Sequence, residues 1–156
     1  MPEFDREAWT RDLIADMRSH GGVPSVGPFR GRKLLILRTT GARTGQPRTA
    51  ILAYRTDGDR LVVAGSKGGA PTNPAWVRNL EVEPAATIEV DNEIVPVRAT
   101  IEARGPERDR LWAAHVEEMP GFAEYPDKTD RIIPMIVLER VGAMAEDAAA
   151  PMELRV

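Results

Sequence analysis

The chain has 156 residues, 42% of them apolar and 29% charged, with a formal net charge of −3 and no cysteine. That length and balance describe one globular domain with one sizeable core. They exclude a disulfide scaffold, thiolate metal sites and a cysteine nucleophile.

The first element is a helix. Asp5 reads as its N-cap, Phe4 and Trp9 stand at the positions of a hydrophobic staple, and Trp9, Leu13, Ile14 and Met17 recur at helical spacing. Gly21-Gly22 ends it, and 23–32 reads as a loop rich in proline and glycine. Strands follow closely. One is expected from Lys33 to Thr39 around Leu34-Leu35-Ile36-Leu37, one from Arg48 to Thr56, and one from Arg60 to Ser66, with Asp57-Gly58-Asp59 as a hairpin turn. Pro74 opens a short helix to Leu80, capped by Asn73 or Thr72.

Two more strands, Ala86 to Val90 and Glu93 to Ala103, flank Asp91-Asn92, and Pro96 inside the second marks an edge or a bulge. Gly105-Pro106-Glu107 opens a helix on which Leu111, Trp112, His115, Val116 and Met119 share a face. A loop with Phe122 and Tyr125 leads to a last strand, Ile132 to Val141, interrupted near its start by Pro134. The chain divides into 1–29, a helix and loop packed on the body; 30–141, the body; and 142–156, a loose alanine-rich tail. Short turns rather than helices separate most strands. That predicts a mainly β, α+β domain with an antiparallel sheet curled or closed into a barrel and helices outside it. The βαβ alternation of a Rossmann fold is missing.

Charge is distributed unevenly. Arg18, Arg30, Arg32, Lys33, Arg38, Arg43, Arg48 and Arg55 lie between Met17 and Thr56 with no acidic residue among them. A basic patch on an acidic chain suits a local anionic ligand better than a long polyanion, so no nucleic-acid partner is expected. Solvated loop and strand-edge cations are the alternative for the outer arginines. The N-terminus lacks the basic-then-apolar pattern of a secretory leader, and no apolar run approaches the roughly 20 residues that span a bilayer, so a cytoplasmic protein is expected.

Two glycine-rich basic turns, each after a predicted strand, carry the chemistry. The first is Thr39-Thr40-Gly41-Ala42-Arg43-Thr44-Gly45-Gln46-Pro47-Arg48, and the second is Gly65-Ser66-Lys67-Gly68-Gly69. Each offers backbone N–H groups, a hydroxyl and a long cation, a combination that suits a phosphate docked at the end of a sheet. The first lacks the ending of a Walker A loop, and the glycines of the second are wrongly spaced for a dinucleotide fingerprint. Either turn alone reads as a tight hairpin; together with Arg43, Arg48 and Lys67 they read as a clamp for one phosphorylated ligand. Trp76, Phe122 and Tyr125 are candidates for a ring-binding wall, with core packing as the alternative for Trp76. His115 reads as a core side chain and His20 as a cation at a helix end, so no metal site is expected. Ser19, Ser25 and Ser66 are the serines, and none lies in a nucleophile elbow.

In order and spacing these stretches resemble the deazaflavin (coenzyme F420)-dependent nitroreductase family of split β-barrel oxidoreductases, common in actinobacteria. The matching stretches are 37–48, 64–70, Asn73-Pro74-Ala75-Trp76 with Asn79-Leu80, and 125–134, so the resemblance covers roughly residues 30 to 140. It implies an antiparallel split barrel with flanking helices. It also implies a reduced deazaflavin that passes hydride from its C5 to an electrophilic small molecule, so that the cofactor carries the redox chemistry. By position, Arg43, Arg48 and Lys67 would hold the phosphate and oligoglutamate tail, and the backbone of Ser66, Lys67, Gly68 and Gly69 would contact the ring system. Trp76 and Asn79 would shape the pocket, Ser66 would face the substrate, and Tyr125 or solvent would give the proton. Family members that reduce nitroimidazoles have several tyrosines before the last strand, where this chain has Met119, Phe122 and Tyr125. The expected substrates are therefore quinones, enones or related conjugated electrophiles. The alternatives are an FMN-dependent enzyme of the same fold and a non-catalytic deazaflavin-binding protein. The N-terminal helix reads as a packing helix, with weak membrane-surface contact as its other reading, and both monomer and homodimer stay open.

Overall fold

The computed structural model describes residues 5–27, 29–66, 72–120, 122 and 131–141. In chain order the elements are α1 (Arg6–Ser19), β1 (Leu34–Thr40), β2 (Pro47–Ala53), β3 (Arg55–Asp57), β4 (Arg60–Ala64), α2 (Ala75–Val82), β5 (Ala85–Val90), β6 (Glu93–Glu102), α3 (Pro106–Glu118) and β7 (Met135–Arg140). The strands form one antiparallel sheet in the order β2-β1-β5-β6-β7-β4-β3.

That order explains the curl. β2 and β3 stand at opposite edges of the sheet, yet only Tyr54 separates them in the chain. One residue can join the two edges only if the sheet bends round until they meet, which is the closure expected of a split barrel. The expected single strand Arg48 to Thr56 is therefore two, broken at Tyr54. Its side chain is buried in the core, and its N–H donates to Lys33 O at 3.4 Å.

The run Leu34-Leu35-Ile36-Leu37 has no polar alternation because β1 is covered on both faces. Leu35 and Leu37 point into the barrel with Leu61, Val63, Ile88, Val97, Ile136 and Leu138. Leu34 and Ile36 face out and pack with Leu13, Ile14 and Met17 of α1. β4 and β7 repeat the pattern: Val62, Met135 and Val137 face out against Leu111 of α3. Each fully buried leucine contributes about 2 kcal/mol through removal of apolar surface from water. α2 packs against the inner cluster with Trp76, Val77 and Leu80, and this brings it to the ends of β1 and β4.

The helix ends follow the local chemistry. Asp5 caps α1 by accepting from the Ala8 N–H at 3.0 Å. Gly22, at φ +95°, closes the other end by donating to Met17 O at 2.7 Å. A Cβ on Gly22 would stand 2.8 Å from Asp91 Cα, so the glycine also lets α1 approach the β5–β6 turn. Asp91 and Asn92 both have positive φ, as a two-residue hairpin requires. Phe4 and the tail from residue 142 lie outside the described residues.

Two expectations need correction. Pro74 is the N-cap of α2 rather than its first residue, and neither Asn73 nor Thr72 caps it with a side chain. β6, with Pro96 inside it, is central rather than an edge, between β5 and β7. Pro96 is tolerated because its missing donor faces the β7 side, where the last ladder pair is Val97 with Arg140. The Pro96 carbonyl still accepts from the Val141 N–H at 3.1 Å.

Candidate functional site

The first turn is built by its own hydrogen bonds. Gly41 N–H donates to Gln46 O at 2.7 Å, and Gly45 N–H donates to Gly41 O at 2.9 Å. Gln46 N–H donates to Thr44 Oγ1 at 3.2 Å. Gly45 takes φ +72°, and a Cβ on Gly41 would meet Gln46 O at 3.0 Å. Both glycines are thus required by the turn itself.

α2 fixes this turn from the side. The buried Asn79 amide accepts from Ala42 N–H at 2.9 Å and donates to Thr39 Oγ1 at 3.1 Å. Asn79 is a brace whose oxygen and nitrogen are both engaged within the protein. Between the turn, the start of β2 and α2 lies a cleft of about 600 Å³, walled by Gly41, Ala42, Thr44, Thr49, Ala75 and Trp76, with Arg43, Arg48 and Asn79. Thr39 pairs with Arg48 across β1 and β2, which puts Arg48 on the face that Thr39 turns toward α2. Arg43 and Arg48 are exposed, and neither forms an ion pair with another described residue. Trp76 is largely buried and serves both as core and as cleft wall.

The second turn leaves β4 at Gly65 and Ser66. Gly65 N–H donates to Pro134 O at 2.9 Å, and a Cβ there would stand 3.0 Å from both Val77 and Pro134 side-chain carbons. The glycine lets the strand end pass between α2 and the start of β7. α2 is therefore common to the two turns: Asn79 braces the first and Val77 packs on the base of the second. Ser66 is buried and is not among the walls of the cleft. Lys67, Gly68, Gly69 and Tyr125 lie outside the described residues.

The eight cations between Met17 and Thr56 separate into classes. Arg18 is bound to Glu89 through two bonds of 2.8 Å, which holds that carboxyl below its usual range. Arg55 lies 3.9 Å from Asp57. Arg38 lines a second cleft of about 500 Å³ with Arg18, Thr10, Arg11 and Ile14 of α1. Phe122 stands edge-on to His115 at 4.6 Å and to Trp112 at 6.5 Å, both on α3. His115 is fully buried, and burial with nearby Arg55 lowers its pKa to about 4. His20, the C-cap of α1, has Nδ1 2.7 Å from Asp16 O. Among the described residues no three His, Asp or Glu side chains gather as a metal site, and no helix is long and apolar enough to cross a membrane.

Arg131 stands in the matching stretch 125–134, but sequence reasoning gave it no role. Arg131 donates to Asn73 Oδ1 at 2.6 Å, to Ser66 O at 2.8 Å and to Gly65 O at 3.1 Å. Burial pulls its pKa below the ordinary value. Its partners are 58 to 66 residues away in the chain, so no local pattern announces it.

The family described as F420H(2)-dependent quinone reductase matches residues 9–140, so the match includes α1. An F420H(2)-dependent quinone reductase of Mycobacterium tuberculosis is 40% identical over 108 residues, covering 68% of this chain and 72% of that protein. A solved F420H2-dependent reductase superimposes with a TM-score of 0.63 at 33% identity, covering 69% of this chain and 95% of its own. A second solved structure, described as a domain-swapped dimer, has a TM-score of 0.65 at 29% identity and covers 86% of this chain. Taken with the curled antiparallel sheet, these matches show that the chain belongs to the F420H(2)-dependent quinone reductase family and is an F420-dependent oxidoreductase.

Proposed function

We propose that this chain binds reduced F420 along the first turn and α2 and reduces quinones or related conjugated electrophiles. The observation that carries the reading is the pair Arg43 and Arg48, which have no ion-pair partner among the described residues, at the cleft beside Trp76. When bound, F420H2 supplies a hydride from C5 of its ring. The protein's task is to bind, orient and exclude water. Arg43 and Arg48 hold the phosphate and tail, joined by Lys67. Ala42, braced by Asn79, keeps the turn open toward the ligand. Trp76 supplies an apolar wall, Ser66 to Gly69 contact the ring system, and Ser66 faces the substrate. Tyr125 gives the proton that completes quinone reduction, with solvent as the other donor.

Titration of the purified protein with F420 and with FMN, followed by turnover of a quinone panel, tests the reading. F420 is expected to bind more tightly than FMN, and binding to weaken as salt rises, because the proposed contacts are ionic. Comparable or tighter FMN binding sinks the assignment. Tight F420 binding without turnover of any quinone or enone leaves a deazaflavin-binding protein instead.

A further inference from the structure

We infer that Arg131 is a positioning residue of the cofactor site, clipping the start of the second glycine-rich turn to Asn73 ahead of α2. The inference rests on the F420 reading above and assigns that site a residue outside both turns. The turn starts at Gly65-Ser66, and Asn73 stands just before Pro74, the N-cap of α2. One guanidinium donates to both: Nη2 to Ser66 O at 2.8 Å and to Gly65 O at 3.1 Å, and Nη1 to Asn73 Oδ1 at 2.6 Å. Fixing Gly65, Ser66 and Asn73 to one guanidinium before a ligand arrives lowers the ordering cost of binding. Only a planar fork reaches three acceptors in this way; an ammonium on a flexible stem is a single point of charge.

The bonds also orient the backbone. In a trans peptide the carbonyl and the following N–H point in opposite directions. With Gly65 O turned to the guanidinium, Ser66 N–H is directed to the other side. Gly65 itself is held on its N–H by Pro134 O at 2.9 Å and is wedged between Val77 and Pro134. The entry of the turn is therefore fixed from β7, from α2 and from Arg131. Arg131 is also the first described residue after the stretch that carries Tyr125.

The test compares Arg131→Met, Arg131→Lys and Asn73→Ala with the wild-type chain. F420 affinity is read by fluorescence quenching, steady-state KM and kcat by quinone turnover, and hydrogen exchange of the 65–66 segment in the cofactor-free protein. Arg131→Met is expected to weaken F420 binding by about tenfold or more, the equivalent of one or two charge-assisted bonds, and to raise KM for F420H2 more than it lowers kcat. Arg131→Lys keeps the charge and loses the fork, so it behaves like Arg131→Met. Asn73→Ala, at an exposed position outside the core, shows the same changes at smaller size and serves as the test if Arg131→Met does not fold. Exchange at 65–66 is faster in each variant without any cofactor. Wild-type affinity and exchange in Arg131→Met, or full recovery by lysine, overturns the clip alone. Failure of the wild-type chain to bind F420 overturns the functional reading, and the positioning role with it.

Discussion

Two arginine-rich regions of this molecule use the same side chain in opposite ways. Around the β3–β4 hairpin, Asp57 accepts from Arg110 through two bonds of 3.1 Å and from Arg60, while Glu107 binds Arg110 at 2.6 Å. Those guanidinium groups hold the Asp57 and Glu107 carboxyls below their usual ranges, and the network ties the hairpin to α3. Around the first turn, Arg43 and Arg48 have no carboxylate among the described residues. A guanidinium with its partner built in is structure; under the proposed function, the two without one among the described residues meet the ligand. Sequence proximity does not separate the two classes, since Arg55 and Arg48 belong to one basic segment and fall on opposite sides.

The sharpest way to break this comparison is to remove the unpaired pair. Arg43→Ala with Arg48→Ala should weaken F420 binding by about a hundredfold, roughly tenfold for each lost charge-assisted contact, with the melting temperature of the cofactor-free protein unchanged. Calorimetry and a thermal melt decide it together. Normal affinity would make the turn a plain hairpin.

The paired region has its own weak point. His115 is fully buried with neither ring nitrogen hydrogen-bonded, and Arg55 beside it has unbonded Nε and Nη2 atoms. Burial first, then Arg55, holds the His115 pKa at about 4, below its ordinary 6.5. Protons therefore bind the unfolded chain preferentially between those values. The contribution is complete above about pH 6.5 and is lost as pH falls toward 4, by on the order of 3 kcal/mol. Urea titrations across that window measure the loss, and His115→Phe should flatten it.

Asp57→Ala sharpens the contrast from the structural side. It removes the acceptor shared by Arg60 and Arg110, and stability should fall by about 1–2 kcal/mol while F420 affinity stays the same. A large loss of affinity would show that the two regions are coupled. The smallest effect is expected from Tyr125→Phe when solvent can deliver the proton: quinone turnover then falls modestly and F420 affinity does not change. A loss of about a hundredfold in turnover would assign the tyrosine as the proton donor.

Several features were legible in the sequence because they are local. Asp5 as a cap, Gly21-Gly22 as a stop, Asp91-Asn92 as a hairpin turn and Leu34 to Leu37 as a buried strand each depend on neighbouring residues and their conformational preferences. The first glycine-rich turn was legible for the same reason, and the order and spacing of the motifs in both glycine-rich stretches pointed to the family. The break at Tyr54 was not, because a bend that joins two sheet edges is set by the closure of the whole sheet. Nor was the central place of Pro96, which depends on where β7 ends. The sequence could name Arg18, Arg43, Arg48 and Arg55 as cations, and Asp57 stands two residues from Arg55 in the chain, but only the fold set Glu89 beside Arg18. Arg131 makes the point most plainly: its partners come from β4 and the approach to α2, across 58 to 66 residues of chain. Local preferences determined the elements and turns; long-range packing decided which polar groups meet, because hydrogen bonds and ion pairs depend on distance in space and not along the chain.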